Sequence, residues 1–131
     1  MKISFTSARQ ASLVVALSGA LLSGIAHAAG APAMVTDGVL TGHNGMTLYT
    51  FDKDTAGSGK SVCNGPCATN WPPLMATDAD KASGDYAIIT RDDGTKQWAM
   101  KGKPLYYWVK DAKPGDKTGD GFNKVWQVAK P

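Results

Sequence analysis

Residues 45–54 read GMTLYTFDKD, and residues 102–111, at a constant offset of 57 positions, read GKPLYYWVKD. The two stretches share Gly, Leu, Tyr, a second large aromatic residue and Asp in the same order. Each is followed by a loop rich in Gly, Asp and Lys and later by a tryptophan, Trp71 or Trp126. This internal repeat predicts two related units that pack against each other, because one unit alone is too short to bury its apolar face.

The repeated motif combines aromatic residues at alternate positions with a closing aspartate. Its residues are Tyr49, Phe51 and Asp54 in the first copy and Tyr106, Trp108 and Asp111 in the second. Residues two apart in a strand lie on the same face, so each copy should have an aromatic face and a leucine face. The aspartates follow the strands, where a carboxylate can accept backbone N–H groups of a turn. Two interpretations follow: a buried aromatic core, with the tryptophans mostly buried, or aromatic side chains that partly line a ligand groove.

Short strands separated by turns are the pattern of the rest of the chain. Strands are predicted over residues 39–41, 46–51, 86–90, 96–100, 105–110 and 124–129, and a single helical turn over residues 77–83. Asn44-Gly45 is a strong hairpin signal, and no window of about 12 residues has helical periodicity. The sequence therefore predicts a mainly β fold. Two related antiparallel β-units, over about residues 38–75 and 86–129, pack into one small domain spanning residues 38–131.

The first 28 residues are typical of an export signal. Lys2 and Arg9 lie near the start, an apolar run extends from Ala11 to Ile25, and Ala26-His-Ala28 has small residues at both recognition positions of a signal peptidase. The apolar run is shorter than the roughly 20 residues that a membrane-spanning helix needs. We therefore predict a cleaved signal peptide over residues 1–28 and a flexible lead over residues 29–37. The mature chain is expected in the periplasm or the medium, without a transmembrane segment.

Charge argues against a nucleic-acid partner. The formal net charge is +3, from 14 basic and 11 acidic residues, and removal of residues 1–28 lowers it to +1 because Lys2 and Arg9 are lost. The remaining lysines are scattered along the chain rather than concentrated on one periodic face. Nucleic-acid binding needs a concentrated basic surface, so this class of function is excluded.

The chain has two cysteines, in the segment Cys63-Asn-Gly-Pro-Cys67. Two cysteines this close are expected to pair in an oxidising compartment, and the turn-forming residues between them bring the sulfurs together. Because the loop is so small, the disulfide removes little conformational entropy from the unfolded chain. We therefore predict that it fixes a loop rather than stabilising the whole fold. A metal clamp and a redox pair are alternatives, although redox dithiols usually have two intervening residues and a helix start nearby.

Residue types suited to catalysis or metal binding are sparse. His43 is the single histidine after residue 28, and no nucleophile-elbow sequence is present, so the sequence predicts a protein that is not an enzyme. His43, Met46, Met75 and Met100 are weak candidates for soft ligands of copper or for contacts with haem, although Met is also a common core residue. The Asp-containing loops lack the full ligand series of a calcium loop. No cofactor is predicted.

The chain resembles a known family at Tyr49-x-Phe51-x-x-Asp54 and Tyr106-x-Trp108-x-x-Asp111. These are the bacterial secreted-repeat proteins, often predicted lipoproteins, which carry a Tyr-x-aromatic-x-x-Asp motif. The resemblance covers nearly all of the mature chain, and it implies an exported repeat fold with no established activity and no catalytic residues to carry over. Many relatives look lipid-anchored, whereas this chain has no cysteine near the predicted cleavage site.

Two functions from different classes therefore remain. The first is a non-enzymatic envelope or secreted binding module, whose exposed aromatic side chains or Asp/Lys loops engage a protein, a glycan or a small ligand. The second is a periplasmic metal-binding protein, for copper or haem, or a redox protein that uses His43, the methionines or unpaired Cys63 and Cys67. A closed disulfide without metal favours the first function, and a co-purifying metal or free thiols favour the second.

Overall fold

Eight short strands and one short helix form the regular structure of residues 31–131, the part of the chain that the computed structural model describes. The strands are β1 (Met34–Thr36), β2 (Val39–Thr41), β3 (Tyr49–Phe51), β4 (Met75–Ala76), β5 (Tyr86–Thr90), β6 (Lys96–Met100), β7 (Lys103–Pro104) and β8 (Trp126–Val128). Helix α1 spans Pro66–Asn70, and a 3-10 turn at Phe122–Lys124 precedes β8. The predicted signal peptide, residues 1–28, lies outside the described residues. Within residues 31–131, no helix has the length and apolarity needed to cross a membrane.

The two copies of the motif pair with each other through their backbones. The N–H of Tyr49 donates to the carbonyl of Tyr106 at 2.7 Å, and the N–H of Tyr106 donates to the carbonyl of Tyr49 at 2.9 Å. Strand β3 also pairs antiparallel with β8, and this pairing sets Phe51 opposite Trp126. The fold is therefore mainly β, with two related antiparallel units packed into one small domain, as the sequence predicts.

Two hydrophobic clusters lie on opposite faces of the motif segments. Leu48 and Leu105 are fully buried in a leucine cluster that also contains Leu40. Tyr49 and Tyr106 are fully buried in an aromatic cluster on the other face. The tryptophans of the aromatic cluster are Trp71, Trp108 and Trp126. The predicted division of each motif into an aromatic face and a leucine face is confirmed.

A second sheet has the strand order β4–β6–β5, with β7 also paired to β6. Strands β5 and β6 occupy the predicted residues, 86–90 and 96–100. The third strand, predicted over residues 105–110, is instead β7 at Lys103–Pro104. The reason is that the chain changes sheets at Leu105, whose N–H donates to Trp98, and at Tyr106 the backbone already pairs with Tyr49.

The segment expected to be a flexible lead, residues 29–37, contains a strand. Met34–Thr36 forms β1, which pairs antiparallel with β2 and places Val35 opposite Leu40. Asp37 and Gly38 connect the two strands with positive φ angles of 52° and 81°. This is the backbone that a two-residue hairpin turn requires and that Asp-Gly adopts readily. The strand was missed because it has only three residues, too few for a clear alternating pattern, although Ala33 just before it is buried in the leucine cluster.

The helical turn predicted over residues 77–83 is wrong, and the helix lies earlier in the chain. Asp80 accepts the N–H of Thr77 on its side chain at 2.8 Å, which closes one turn that does not continue. Helix α1 instead begins at Pro66, where a fixed φ and a missing N–H suit the first helical position. The helix carries Cys67 and ends at Asn70, immediately before Trp71.

Candidate functional site

The tyrosine of each motif is bonded to the aspartate of the other motif. The hydroxyl of Tyr49 donates to Asp111 Oδ2 at 2.6 Å, and the hydroxyl of Tyr106 donates to Asp54 Oδ2 at 2.5 Å. The hydroxyl of Tyr49 also accepts the N–H of Gly119 at 3.2 Å. The two repeats thus exchange one hydrogen bond in each direction, and a charged acceptor makes each bond a strong one.

The second oxygen of each aspartate holds the loop that follows it. Asp54 Oδ1 accepts the N–H of Val62 at 2.7 Å. Asp111 Oδ1 accepts both the N–H and the hydroxyl of Thr118, at 2.9 and 2.6 Å. Acceptance of backbone N–H groups was expected from the sequence, although the loops they close are longer than a single turn. The bonds to the tyrosines of the opposite repeat were not foreseen.

Burial and the paired carboxylates keep the motif tyrosines protonated. Burial raises the pKa of the Tyr49 hydroxyl well above its ordinary value, and the hydrogen bond to Asp111 raises it further. Burial and the hydrogen bond to Asp54 act in the same way on the pKa of Tyr106. Burial also raises the pKa of Asp54, against the opposing effects of its bonds to Tyr106 and Val62. At neutral pH both tyrosines are therefore protonated and act as hydrogen-bond donors.

Four aromatic rings form a stacked column across the two repeats. In order they are Phe51, Trp126, Trp71 and Trp108, and we call this set the aromatic column. The successive ring centroids are 4.2, 3.8 and 3.9 Å apart. The outer rings are the equivalent motif positions, and the inner rings are the tryptophans that follow each motif. All four tryptophans of the chain are buried, at most 8% exposed, which confirms the burial predicted for them and favours a core over a groove.

The residues considered as metal ligands lie in several different surroundings. His43 is exposed, and its Nε2 lies 2.7 Å from the carbonyl oxygen of Ala31. Met46 follows in the same loop, Met75 is half exposed in β4, and Met100 is buried in the leucine cluster. Within residues 31–131, no group of three or more His, Cys, Asp or Glu residues is arranged to hold a metal ion.

Arg91 is a buried side chain that the sequence reasoning missed. It is 4% exposed, and its Nη1 donates to Ser61 Oγ at 3.0 Å and to Gln97 Oε1 at 2.7 Å. Its Nη2 donates to the carbonyl of Cys63 and to Asn64 Oδ1. The signal available in the sequence was that Arg91 is the one arginine after residue 28, among eleven lysines. A planar guanidinium can fix a loop and a strand together in a way that an ammonium cannot.

These contacts anchor the loop closed by the cysteines. Cys63 and Cys67 form a disulfide with 2.04 Å between the sulfurs, and Cys63 is fully buried in the aromatic cluster. Arg91 bonds the carbonyl of Cys63 and so attaches the loop to β5 and β6. Ser61 connects Arg91 to Tyr106, since its hydroxyl lies 2.6 Å from the Tyr106 hydroxyl. The motif network and the disulfide loop are therefore one continuous hydrogen-bonded unit.

A surface cavity of about 480 Å³ lies between the disulfide loop and the turn that connects β5 to β6. We call it the disulfide-loop cavity. Its lining comprises Asn64 and Gly65 of the loop, Ala68 of helix α1, Arg91, Asp92, Asp93 and Thr95 of the turn, and Pro73 and Met75. Its volume falls within the range of small-molecule sites, and it combines apolar and polar side chains as such sites do.

The exposed charges of this cavity are negative. Arg91 directs its guanidinium into four hydrogen bonds with the frame, whereas Asp92 and Asp93 are exposed. The hydrogen bond from the Thr95 hydroxyl, supported by the Thr95 backbone, lowers the pKa of Asp93, so this carboxylate is ionised at neutral pH. Asp92 accepts one hydrogen bond from the Asn64 amide at 3.1 Å. The cavity thus suits a ligand group that is positively charged or rich in hydrogen-bond donors.

The chain is similar to a known protein family. A family model described as a secreted repeat of unknown function matches residues 33–75 and 87–130. These two segments overlap the two repeats predicted over residues 38–75 and 86–129. No curated protein and no solved structure matches the chain.

Proposed function

We propose that this chain, which belongs to the Lipoprotein_15 family, a secreted repeat of unknown function, is an exported, non-enzymatic binding module of the cell envelope. The two repeats serve as the frame, and the disulfide-loop cavity is the binding site. The ligand is a small molecule or a chain segment that carries a positively charged group. The observation that carries the proposal is the cavity itself, which has a volume of about 480 Å³. It is lined by two exposed carboxylates and by the disulfide loop, which Arg91 holds in place.

The surroundings of the motif residues support binding rather than catalysis. The hydroxyls of Tyr49 and Tyr106 are bonded to carboxylates and buried, so they are not placed to exchange protons with a ligand. The cavity instead presents Asp92 and Asp93 beside Met75. The two carboxylates can attract a positively charged group of the ligand, and the Met75 side chain can contact its apolar part. The disulfide and Arg91 hold the cavity in shape before a ligand arrives, which reduces the ordering cost of binding.

The first test measures the binding of three probes that differ in charge, using the shift in Tm that each causes in thermal unfolding. Spermidine is the cationic probe, trehalose the neutral probe and citrate the anionic probe. Spermidine is expected to raise the Tm of the wild type in a saturable way, because a ligand that binds the folded state stabilises it. Ala68→Trp, which fills the cavity, should abolish this effect, and Asp92→Asn should weaken it several-fold.

Asp37→Asn is the matched control, because Asp37 is an exposed turn aspartate that does not line this cavity. It makes the same change in charge and should leave the effect of spermidine unchanged. The proposal is contradicted if no probe raises the Tm, or if Asp37→Asn and Asp92→Asn weaken the effect of spermidine equally.

The export part of the proposal is tested by mass spectrometry of the protein purified from its own envelope or medium. The expected denatured mass is that of residues 29–131 less two hydrogens, for a cleaved signal and a closed disulfide. A full-length mass would contradict export by signal cleavage. Two free thiols, or a metal adduct in the native spectrum, would contradict this function and favour the metal or redox alternative.

A further inference from the structure

A second cavity, of about 280 Å³, is built from both repeats and shares no lining residue with the disulfide-loop cavity. It includes Thr50 of β3 and Gln127 of β8, which face away from the aromatic column because they alternate with its residues. Apolar members of its lining are Leu40, Met100, Leu105, Val128 and Ala129, and charged members are Lys101, Lys103, Lys130 and Asp52. We call it the lysine-rimmed cavity.

The charge around this cavity is positive and is not neutralised by ion pairs. Lys101, Lys103 and Lys130 are all exposed. Within residues 31–131 the one salt bridge joins Lys113 and Asp116, so none of the three rim ammonium groups takes part in one there. The single carboxylate in the lining, Asp52, accepts a hydrogen bond from the Gln127 amide at 3.2 Å. Three ammonium groups against one carboxylate favour an anionic ligand.

Lys101 occupies a turn position whose backbone conformation favours other residue types. Lys101 and Gly102 connect β6 to β7 with φ angles of 51° and 82°. Two-residue turns of this kind prefer Asn, Asp or Gly at the first position. Lysine is a less favourable choice for the turn, but it places an ammonium group at the rim of an apolar cavity.

We propose that the lysine-rimmed cavity binds a small organic anion with an apolar part. The carboxylate or other anionic head lies among Lys101, Lys103 and Lys130, and the apolar part lies against Met100 and Val128, the least buried apolar members of the lining. Neither charge alone nor apolar contact alone accounts for the lining, which contains both kinds of group. This site is distinct from the disulfide-loop cavity, and binding at the two cavities can be tested separately.

The test uses octanoate as the probe, and its binding is measured by amide chemical shifts and by titration calorimetry. Octanoate is expected to bind saturably and to shift amide signals around Lys101 and Ala129, whereas octylammonium and inorganic phosphate should bind much more weakly. Lys101→Asn should reduce the affinity for octanoate about tenfold, because one of the charge-assisted contacts is lost. Asn suits the turn, so this variant is expected to fold at least as well as the wild type.

Lys124→Asn is the matched control. Lys124 also has a positive φ, of 63°, and is exposed, but it does not line the cavity. It undergoes the same change in charge and the same change in backbone preference, and it should leave octanoate affinity unchanged. Lys103→Gln provides a second rim variant, with a similar expected loss, should Lys101→Asn fail to fold.

Three results would overturn the proposal: equal affinities of Lys101→Asn and Lys124→Asn for octanoate, binding of octylammonium as tight as that of octanoate, or binding of phosphate as tight as that of octanoate. Asp92→Asn should bind octanoate as the wild type does. The failure of one site is therefore distinguishable from the failure of the other.

Discussion

At the residue scale, the exchanged bonds from Tyr49 to Asp111 and from Tyr106 to Asp54 explain why the motif ends in aspartate. A buried hydroxyl that loses its partner costs the fold the full desolvation of that group. A carboxylate accepts such a bond strongly and still has a second oxygen for the following loop. Both aspartates use their two oxygens in this way. The motif is therefore explained by its contribution to folding.

The raised pKa values of the two tyrosines predict a loss of stability in alkali. A tyrosine in the unfolded chain ionises near its ordinary pKa of about 10. In the folded state, burial first and the carboxylate second hold the pKa of Tyr49 and Tyr106 higher. Their contribution to stability is therefore fully present below about pH 10 and is lost as the pH rises above it.

The measurement is urea unfolding at several pH values between about 7 and about 11. Tyr106→Phe should be less stable than the wild type by about 1–3 kcal/mol at neutral pH, because Asp54 loses a donor. It should also lose less stability on going to the highest pH. An identical alkaline slope in the wild type and in Tyr106→Phe would contradict the assignment.

Part of this residue-scale description could be predicted from the sequence. The side on which Tyr49 and Leu48 lie follows from strand alternation, and the burial of the tryptophans follows from their apolar size. The partner of Tyr49 could not be predicted, because Asp54 and Asp111 are equally plausible acceptors until the relative position of the repeats is known. Arg91 was missed for a similar reason, since its partners come from two separate segments, one around Ser61 and Cys63 and the other in β6 at Gln97.

At the scale of elements, the aromatic column depends on a close approach of the backbone at Gly119. A Cβ at this position would lie 2.7 Å from Trp71 Cη2 and 3.0 Å from Trp108 Cδ1. Gly119 therefore allows the loop after the second motif to pack directly against two of the stacked rings. The N–H of the same residue donates to the Tyr49 hydroxyl, so the loop is held and packed at one point.

Gly119→Ala is accordingly expected to destabilise the protein by about 1–3 kcal/mol, as overpacking of a core does. The near-UV circular dichroism of the tryptophans should change as well, because the rings must move. Gly121→Ala is the control: a Cβ there meets nothing within 4 Å, and its positive φ of 77° gives a backbone cost alone. If both variants left the near-UV spectrum unchanged, close packing at Gly119 would be refuted.

The element predictions succeeded where β-forming residues are bounded by clear turn signals and failed where side chains outside the element decide the structure. Strand β5 is rich in β-forming residues and the turn at residues 91–94 leads it into β6, so both strands were placed correctly. Helix α1 has five residues and is fixed by Pro66 and by the disulfide, so periodicity could not reveal it. The strand predicted over residues 105–110 failed because its backbone partners belong to two different sheets.

At the scale of the whole molecule, the two repeats form a pseudo-symmetric pair. The backbone bridge between Tyr49 and Tyr106 lies at the centre, and the equivalent residues Phe51 and Trp108 form the two ends of the aromatic column. The two repeats differ in their loops, where the first has the disulfide and the second has the glycine-rich segment around Gly119. The disulfide-loop cavity lies at one of these loops, so we expect differences in binding to come from loops on a shared frame.

The central claim is that the motif locks one repeat to the other, and double-mutant cycles of unfolding free energy test it most directly. Tyr49→Phe and Asp111→Asn, combined, should show a coupling energy of about 1–2 kcal/mol, as should Tyr106→Phe with Asp54→Asn. Tyr49→Phe with Asp54→Asn, which joins the two residues of the same repeat, should show a coupling below about 0.5 kcal/mol. A strong coupling within the repeat and a weak one between the repeats would contradict the account.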